Sequence, residues 1–304
     1  MNGRPTSHEP AARGCSPARA FLKSFAISLA SGACVVAALA WPALSTAQVP
    51  LVFQTTFNCP DWIQGMGGSD ANVCSSGDGI AGSGDWTTSS GSRDQIIAAA
   101  NNPAGGGGKG FRHWRGNGSN NVGGGLTITL PAPVTEMWVR FYMKFSAGFA
   151  WSGGNPLYTK DNYWGGCGSG CVIFGIQGSN SWGVNYNGSV NYPSSLSWAA
   201  SQGGNTGDGQ WHVYEYHLRQ NGSAATIEVW VDGVRYLNRT NANLGSTPWQ
   251  SFKLGENQSS VTGCNPDCYT DYDDIAISTV GYIGPIGSPN PGPGPAAPRN
   301  LRVQ

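Results

Sequence analysis

Arg140, Tyr142 and Lys144 fall at every second position of residues 137–145, with Trp138 completing the series. Period-two alternation marks a strand with one buried face. Val139, Phe141, Met143 and Phe145 take the apolar face, and the other carries an indole, a guanidinium, a phenol and an ammonium. Aromatic plates beside cationic donors are what a sheet offers to an acidic sugar chain. A solvated strand whose Arg and Lys stems lie over the rings has the same composition. Two later segments repeat the design. In residues 211–219, His212, Tyr214, Tyr216 and Leu218 share one face, and Val213, Glu215, His217 and Arg219 the other. In residues 226–232, Ile227, Val229 and Val231 form a core face, with Glu228, Trp230 and Asp232 turned away. If the three strands are neighbours, Arg140, Tyr142, Lys144, Glu215, His217, Glu228 and Trp230 form one polar-aromatic floor.

Composition says what kind of framework would position such a floor. The 304 residues include 46 Gly, 19 Pro and 12 Trp but only 11% charged residues, which suits a loop-rich all-β exported protein rather than a helical one. A formal net charge of +0 gives no support for nucleic-acid binding and leaves room for a locally basic groove. Further strand-like segments cover residues 51–53, 111–115, 126–130, 171–177, 181–186, 234–237, 250–254 and 273–278. Asp232-Gly233 is a hairpin signal. The one helical pattern is short, residues 93–100. The run Gly105 to Gly108 is not a phosphate loop, because no G-K-[ST] pattern ends it before a helix. About ten strands with turns between them predict an all-β, two-sheet antiparallel sandwich of the jelly-roll kind.

The chain ends carry other signals. Arg4, Arg13, Arg19 and Lys23 precede an apolar run over residues 25–44, and Ser45-Thr46-Ala47 offers small residues for cleavage. Residues 1–47 are therefore expected to be a signal peptide, leaving a secreted, periplasmic or cell-surface chain with no stable membrane insertion. An N-terminal anchor is the alternative, since the run approaches spanning length. Pro42 and the small residues after it favour cleavage. Cys59, Cys74, Cys167, Cys171, Cys264 and Cys268 remain beyond residue 47. An even count in an exported chain reads as disulfides, and six cysteines allow fifteen pairings. The sequence-local set is Cys59–Cys74, Cys167–Cys171 and Cys264–Cys268. Zinc is the rival reading of the paired C-x3-C spacing, but the histidines His113, His212 and His217 lie elsewhere. The sandwich is expected over residues 48–283. Residues 284–304 form a Pro- and Gly-rich linker and a tail that looks like the first strand of a fibronectin type III module.

Residues 139–154, VRFYMKFSAGFAWSGG, resemble the strand and loop of concanavalin A-like jelly rolls in the polysaccharide lyases related to alginate and glucuronan lyases. Residues 211–216 and 228–233 resemble later strands of that superfamily, and residues 271–278 its closing strand. The resemblance covers roughly residues 110–285. Such lyases often carry a Lys after the Gly-Gly, where this chain has Asn155-Pro156. The resemblance implies β-elimination from a uronate. That reaction neutralises the sugar carboxylate, removes the C5 proton and protonates the leaving oxygen. It casts Arg140 as the carboxylate clamp, Tyr142 or His217 as the base and Tyr186 as an acid. Lys144, Gln177, Glu215, Glu228, Trp230, His113 and Arg115 would bind substrate. A noncatalytic carbohydrate-binding or adhesion module of the same fold is the alternative.

Hydrolysis needs two carboxyl groups flanking the scissile bond. The glutamates beyond the leader are Glu136, Glu215, Glu228 and Glu256, and the E-x-D-x-x-E pattern of the glucanases is absent. Glu215 and Glu228 could still pair across strands. No cofactor is expected. Asp271 and Asp273, in a cluster with Asp267 and Asp274, are weak candidates for Ca²⁺, since carboxylates suit a hard cation. Trp151, Trp164, Trp182, Trp198 and Trp249 could stack sugars, although most tryptophans in such folds are core. Asn117, Asn187, Asn221 and Asn238 begin glycosylation sequons.

Overall fold

A computed structural model describes residues 49–58, 62–63, 83–87, 94–106, 108–116, 125–151, 159–165, 171–177, 181–186, 190–197, 207–255, 261–262 and 267–287. The expected signal peptide, the cysteines Cys59, Cys74, Cys167 and Cys264, and Trp198 lie outside them. Two antiparallel sheets form the expected jelly-roll class of sandwich. The larger is nine-stranded and runs β15 (Val234–Ala242), β14 (Ala225–Val231), β13 (His212–Arg219), β7 (Glu136–Phe145), β18 (Cys268–Ser278), β5 (Gly110–Gly116), β4 (Asp94–Ile97), β2 (Trp62–Ile63), with β1 (Phe53–Thr55) also paired to β18. The seven-stranded sheet runs β12 (Val190–Ser197), β11 (Ser181–Tyr186), β10 (Val172–Gln177), β9 (Thr159–Trp164), β16 (Trp249–Leu254), β6 (Gly125–Val134), β3 (Ser83–Thr87). A small ribbon joins β17 (Val261–Thr262) to β8 (Ala150–Trp151).

The core is aromatic and is fed by both sheets. Met137, Val139, Phe141, Met143 and Phe145 of β7 are all 0% exposed. Phe141 has Tyr214 and Tyr216 of β13, Phe252 of β16 and Tyr272 of β18 around it, with ring centroids 5.3–6.2 Å away. Across the layer Phe174 stacks on Tyr216 at 4.4 Å, and Trp164 meets Trp249 edge to face at 5.8 Å. Rings of this size remove much apolar area from water and add geometry-specific attraction. Trp164 and Trp249 are therefore core, not sugar platforms.

The expected helix over residues 93–100 is not formed. Its first half is strand β4, followed by a short 3-10 turn at Ala98–Ala100. The cause is tertiary: Ile96 pairs with Phe111 and is fully buried, and Asp94 is held by His113. Strand β9 is not legible in the sequence, because its Thr, Lys, Asp and Asn hide the alternation. Cys171 and Cys268 are each disulfide-bonded.

Strand β18 carries an irregularity that shapes the polar face of the larger sheet. Its first half pairs with β5 and its second half with β1, and a register shift against β7 lies between Asp273 and Ala276. Asp274 sits there in the left-handed region, φ 50°. Bulges of this kind re-aim side chains.

Candidate functional site

The floor expected from the three strands exists, because β7, β13 and β14 are consecutive in the larger sheet. Register sets Glu215 opposite Arg140 and Trp230, and His217 opposite Trp138 and Glu228. On the other side of β7, Asp271 stands beside Lys144 and Asp273 beside Tyr142, with Arg112 of β5 next to Asp271. These residues occupy the face away from the core. Six consecutive residues of β13, Val213 to Leu218, are nevertheless buried, where a strand with one wet face would alternate. Something covers the middle of the floor.

The cover is the chain itself. Residues 279–287 follow β18 and lie back over the sheet. The backbone N–H groups of Ile283 and Gly284 donate to the two oxygens of Glu215 at 2.6 and 2.7 Å. Arg140 donates to the carbonyls of Gly284 at 3.3 Å and Asp274 at 3.2 Å. The N–H of Ile286 donates to the Tyr142 hydroxyl at 3.0 Å, and the Tyr282 ring packs on Trp230 at 5.1 Å. Burial raises the Glu215 carboxyl to about 7, against the pull of the two N–H donors and of Arg140. Burial also lowers the Arg140 guanidinium and raises the Tyr142 phenol. Arg140, expected as carboxylate clamp, and Tyr142, expected as base, both hold this strap, as do Glu215 and Trp230.

His217 is engaged at the far end. Its Nδ1 lies 2.7 Å from Glu228 and its Nε2 2.9 Å from Glu136, while Trp138 stacks flat on the ring at 3.9 Å. Arg235 donates to the second oxygen of Glu228 at 2.6 Å. Burial alone would raise Glu228, but the His217 and Arg235 bonds lower it below the usual carboxylate range. Both ring nitrogens of His217, expected as an alternative base, are thus engaged by carboxylates of neighbouring strands. Glu215 and Glu228, the possible hydrolytic pair, are held separately, the first by the strap and the second by His217 and Arg235. His212 repeats the pattern between Asp232 at 2.7 Å and Asp208 at 3.0 Å.

Other expected residues are dispersed. His113 is 0% exposed on the core side of β5, 2.5 Å from Asp94, so its role in substrate binding is corrected. Tyr186 and Gln177 belong to the seven-stranded sheet and do not join Arg140 and His217 on one sheet face. Arg115 lies in β5, its side chain outside the described residues. Asp271 is bound by Arg112 at 2.6 and 2.9 Å and by Lys144 at 3.0 Å, and Asp273 accepts the N–H groups of Asn102 and Asp274. Both calcium candidates are thus bonded to protein groups. Among the described residues no cluster of three or more metal-binding side chains occurs.

A row at the near end of the same face keeps half-buried side chains around the buried Arg112. Arg112 stacks over Tyr269 at 3.6 Å and faces Trp114 at 5.4 Å. Tyr269 and Trp114 meet edge to face at 5.4 Å, and the Trp114 indole donates to Gln95 at 3.1 Å. Lys144 lies 4.8 Å from the Trp211 ring. Trp114, Tyr269, Lys144 and Trp211 are all half-buried. Two cations share one carboxylate, Asp271, so the row carries an excess positive charge. Burial alone would lower Arg112, but its bonds to Asp271 raise it. Of this row, Lys144 is the residue that the sequence marks for binding. Arg112 and Trp114 share a face of a short strand, a period-two signal that could have found them. Tyr269 and Asp271 share a face of β18 only because the strand begins five residues earlier than its apolar part suggests.

No family model matches the chain, and no curated protein does. Among solved structures the chain is similar to the cellulose induced protein Cip1, at 15% identity and TM-score 0.45, covering 64% of this chain and 90% of that one. It is similar to the alginate lyase Aly36B at 13% identity and TM-score 0.37, covering 57% and 82%. A botulinum neurotoxin serotype C1 binding domain gives 13% identity and TM-score 0.42, covering 66% and 45%. These likenesses concern the fold alone. Among the described residues no helix is long and apolar enough to cross a membrane.

Proposed function

We propose that this chain is an exported carbohydrate-binding protein that holds an acidic glycan without cutting it. The observation that carries the reading is the row of Trp114, Arg112, Tyr269, Lys144 and Trp211. It crosses neighbouring strands, so it extends perpendicular to them for about 14 Å, three strand spacings. Half-buried rings offer flat faces to sugars, and the half-buried Lys144, beside an Asp271 already held by Arg112, meets uronate carboxylates. The row contains none of Arg140, Tyr142, His217 and Tyr186, the residues that elimination would use, so the reading it supports is binding.

The test is a calorimetric titration with oligoglucuronate and oligoalginate, with a neutral cello-oligosaccharide as control. Acidic oligomers are expected to bind, more weakly as salt rises. Trp114→Ala and Trp211→Ala should each weaken binding about tenfold, the loss expected for one aromatic anchor. Both variants binding like the wild type would overturn the assignment. Growth of the ultraviolet absorbance of an unsaturated uronate would overturn the noncatalytic reading instead.

A further inference from the structure

We propose that residues 282–286 are a displaceable occupant of a second uronate-binding groove, which opens when a glycan longer than the near-end row displaces them. The inference rests on the function proposed above and deepens it. The two surfaces are continuous. Lys144, Tyr142 and Arg140 lie on one face of β7 at every second residue, about 6.8 Å apart. The strap meets the row at its Ile286 end, where the N–H bonds Tyr142.

The strap holds the floor almost wholly through backbone groups. The bonds to Glu215, Arg140 and Tyr142 use N–H and C=O, and only Tyr282 contributes a packed side chain, against Trp230. Of its apolar side chains Ile286 is 39% exposed, Ile283 is half-buried and Tyr282 is buried, so its hydrophobic anchoring is concentrated in one ring. It is also an incomplete occupant. Nε of Arg140 and Nε1 of Trp230 are buried beneath it with no partner among the described residues. A buried donor without an acceptor is costly, and a ligand that supplies acceptors gains where the strap does not. Two orphan N–H donors, one on the Arg140 guanidinium and one on the Trp230 indole, call for carboxylate or hydroxyl oxygens. Glu215 calls for hydroxyl donors, and Trp230 offers an indole to a sugar ring. A uronate carries all three features.

The test uses the full chain, labelled with ¹⁵N, and follows backbone amide exchange at Ile283, Gly284 and Ile286. A short oligoglucuronate that covers only the row should leave the three amides protected. A long one should speed their exchange about tenfold or more, since local opening sets the rate. Tyr282→Ala should raise affinity for the long oligomer about threefold or more by raising the open fraction, and adding Arg140→Met should cancel that gain. Unchanged protection at saturating long oligomer would overturn the groove and leave the row standing. Absence of binding by either oligomer would overturn both.

Discussion

Glu215 is a carboxyl group sealed into a sheet face, 2% exposed, and its partners are mostly backbone. Two N–H groups and the nearby Arg140 favour its charged form, but burial outweighs them and lifts the group from 4.5 to about 7. The sign of the consequence follows from proton binding. Between pH 4.5 and 7 the folded chain holds this proton and the unfolded chain has lost it. The contribution of Glu215 to stability is therefore full below 4.5 and declines as pH rises through about 7, by on the order of 3 kcal/mol. Glu215→Gln cannot ionise, so its urea-unfolding free energy should lack that decline. Parallel pH profiles for the variant and the wild type would refute this account of the strap's anchor. His212 titrates in the same sense for a different reason. Burial alone would lower it, yet bonds to Asp232 and Asp208 raise it, so its contribution also declines toward alkaline pH.

Strand β7 organises the larger sheet, and its two faces are legible in the sequence for unequal reasons. The apolar face is certain from alternation, because Met137 to Phe145 have nowhere to go but the core. Phe141→Ala should cost about 3–5 kcal/mol in chemical denaturation, as deletion of a fully buried ring leaves a cavity among Tyr214, Tyr216, Phe252 and Tyr272. A loss below about 1 kcal/mol would mean the site collapses freely, against the packing described. The polar face is legible in membership but not in role. Alternation shows that Arg140, Tyr142, Glu215 and Trp230 leave the core, and the strand order brings them together as expected. It cannot show that a segment far beyond Glu215 in sequence lies over them, because bonds through backbone N–H and C=O leave no side-chain signature. His217 is obscured in the same way, since Glu136 and Glu228 reach it from two different strands. His113 misleads because a polar residue on a core face is invisible without its partner, Asp94. The helix expected over residues 93–100 gives way to a strand for the same class of reason, a tertiary pairing with Phe111 that overrides local propensity.

At the scale of the molecule, one sheet face does three different jobs along its length. The Trp138–His217 end is a closed network of ring stacking and ion pairs. The middle is sealed by the strap. The Trp114–Trp211 end leaves half-buried rings beside cations that share a single carboxylate. Stability and binding should therefore separate along the face. Trp138→Ala removes a flat stack at 3.9 Å from a ring that three strands hold in place. It should lower unfolding free energy by about 1–3 kcal/mol and leave oligouronate affinity unchanged. Trp211→Ala removes a half-buried ring whose described contact is one ammonium group. It should leave stability within about 1 kcal/mol of wild type while weakening binding. Denaturation and titration on the same two variants check the prediction together. Equal effects of the two variants on both quantities would mean that the face acts as a single cooperative unit. Loss of glycan affinity in Trp138→Ala, with Trp211→Ala binding normally, would move the binding surface to the opposite end.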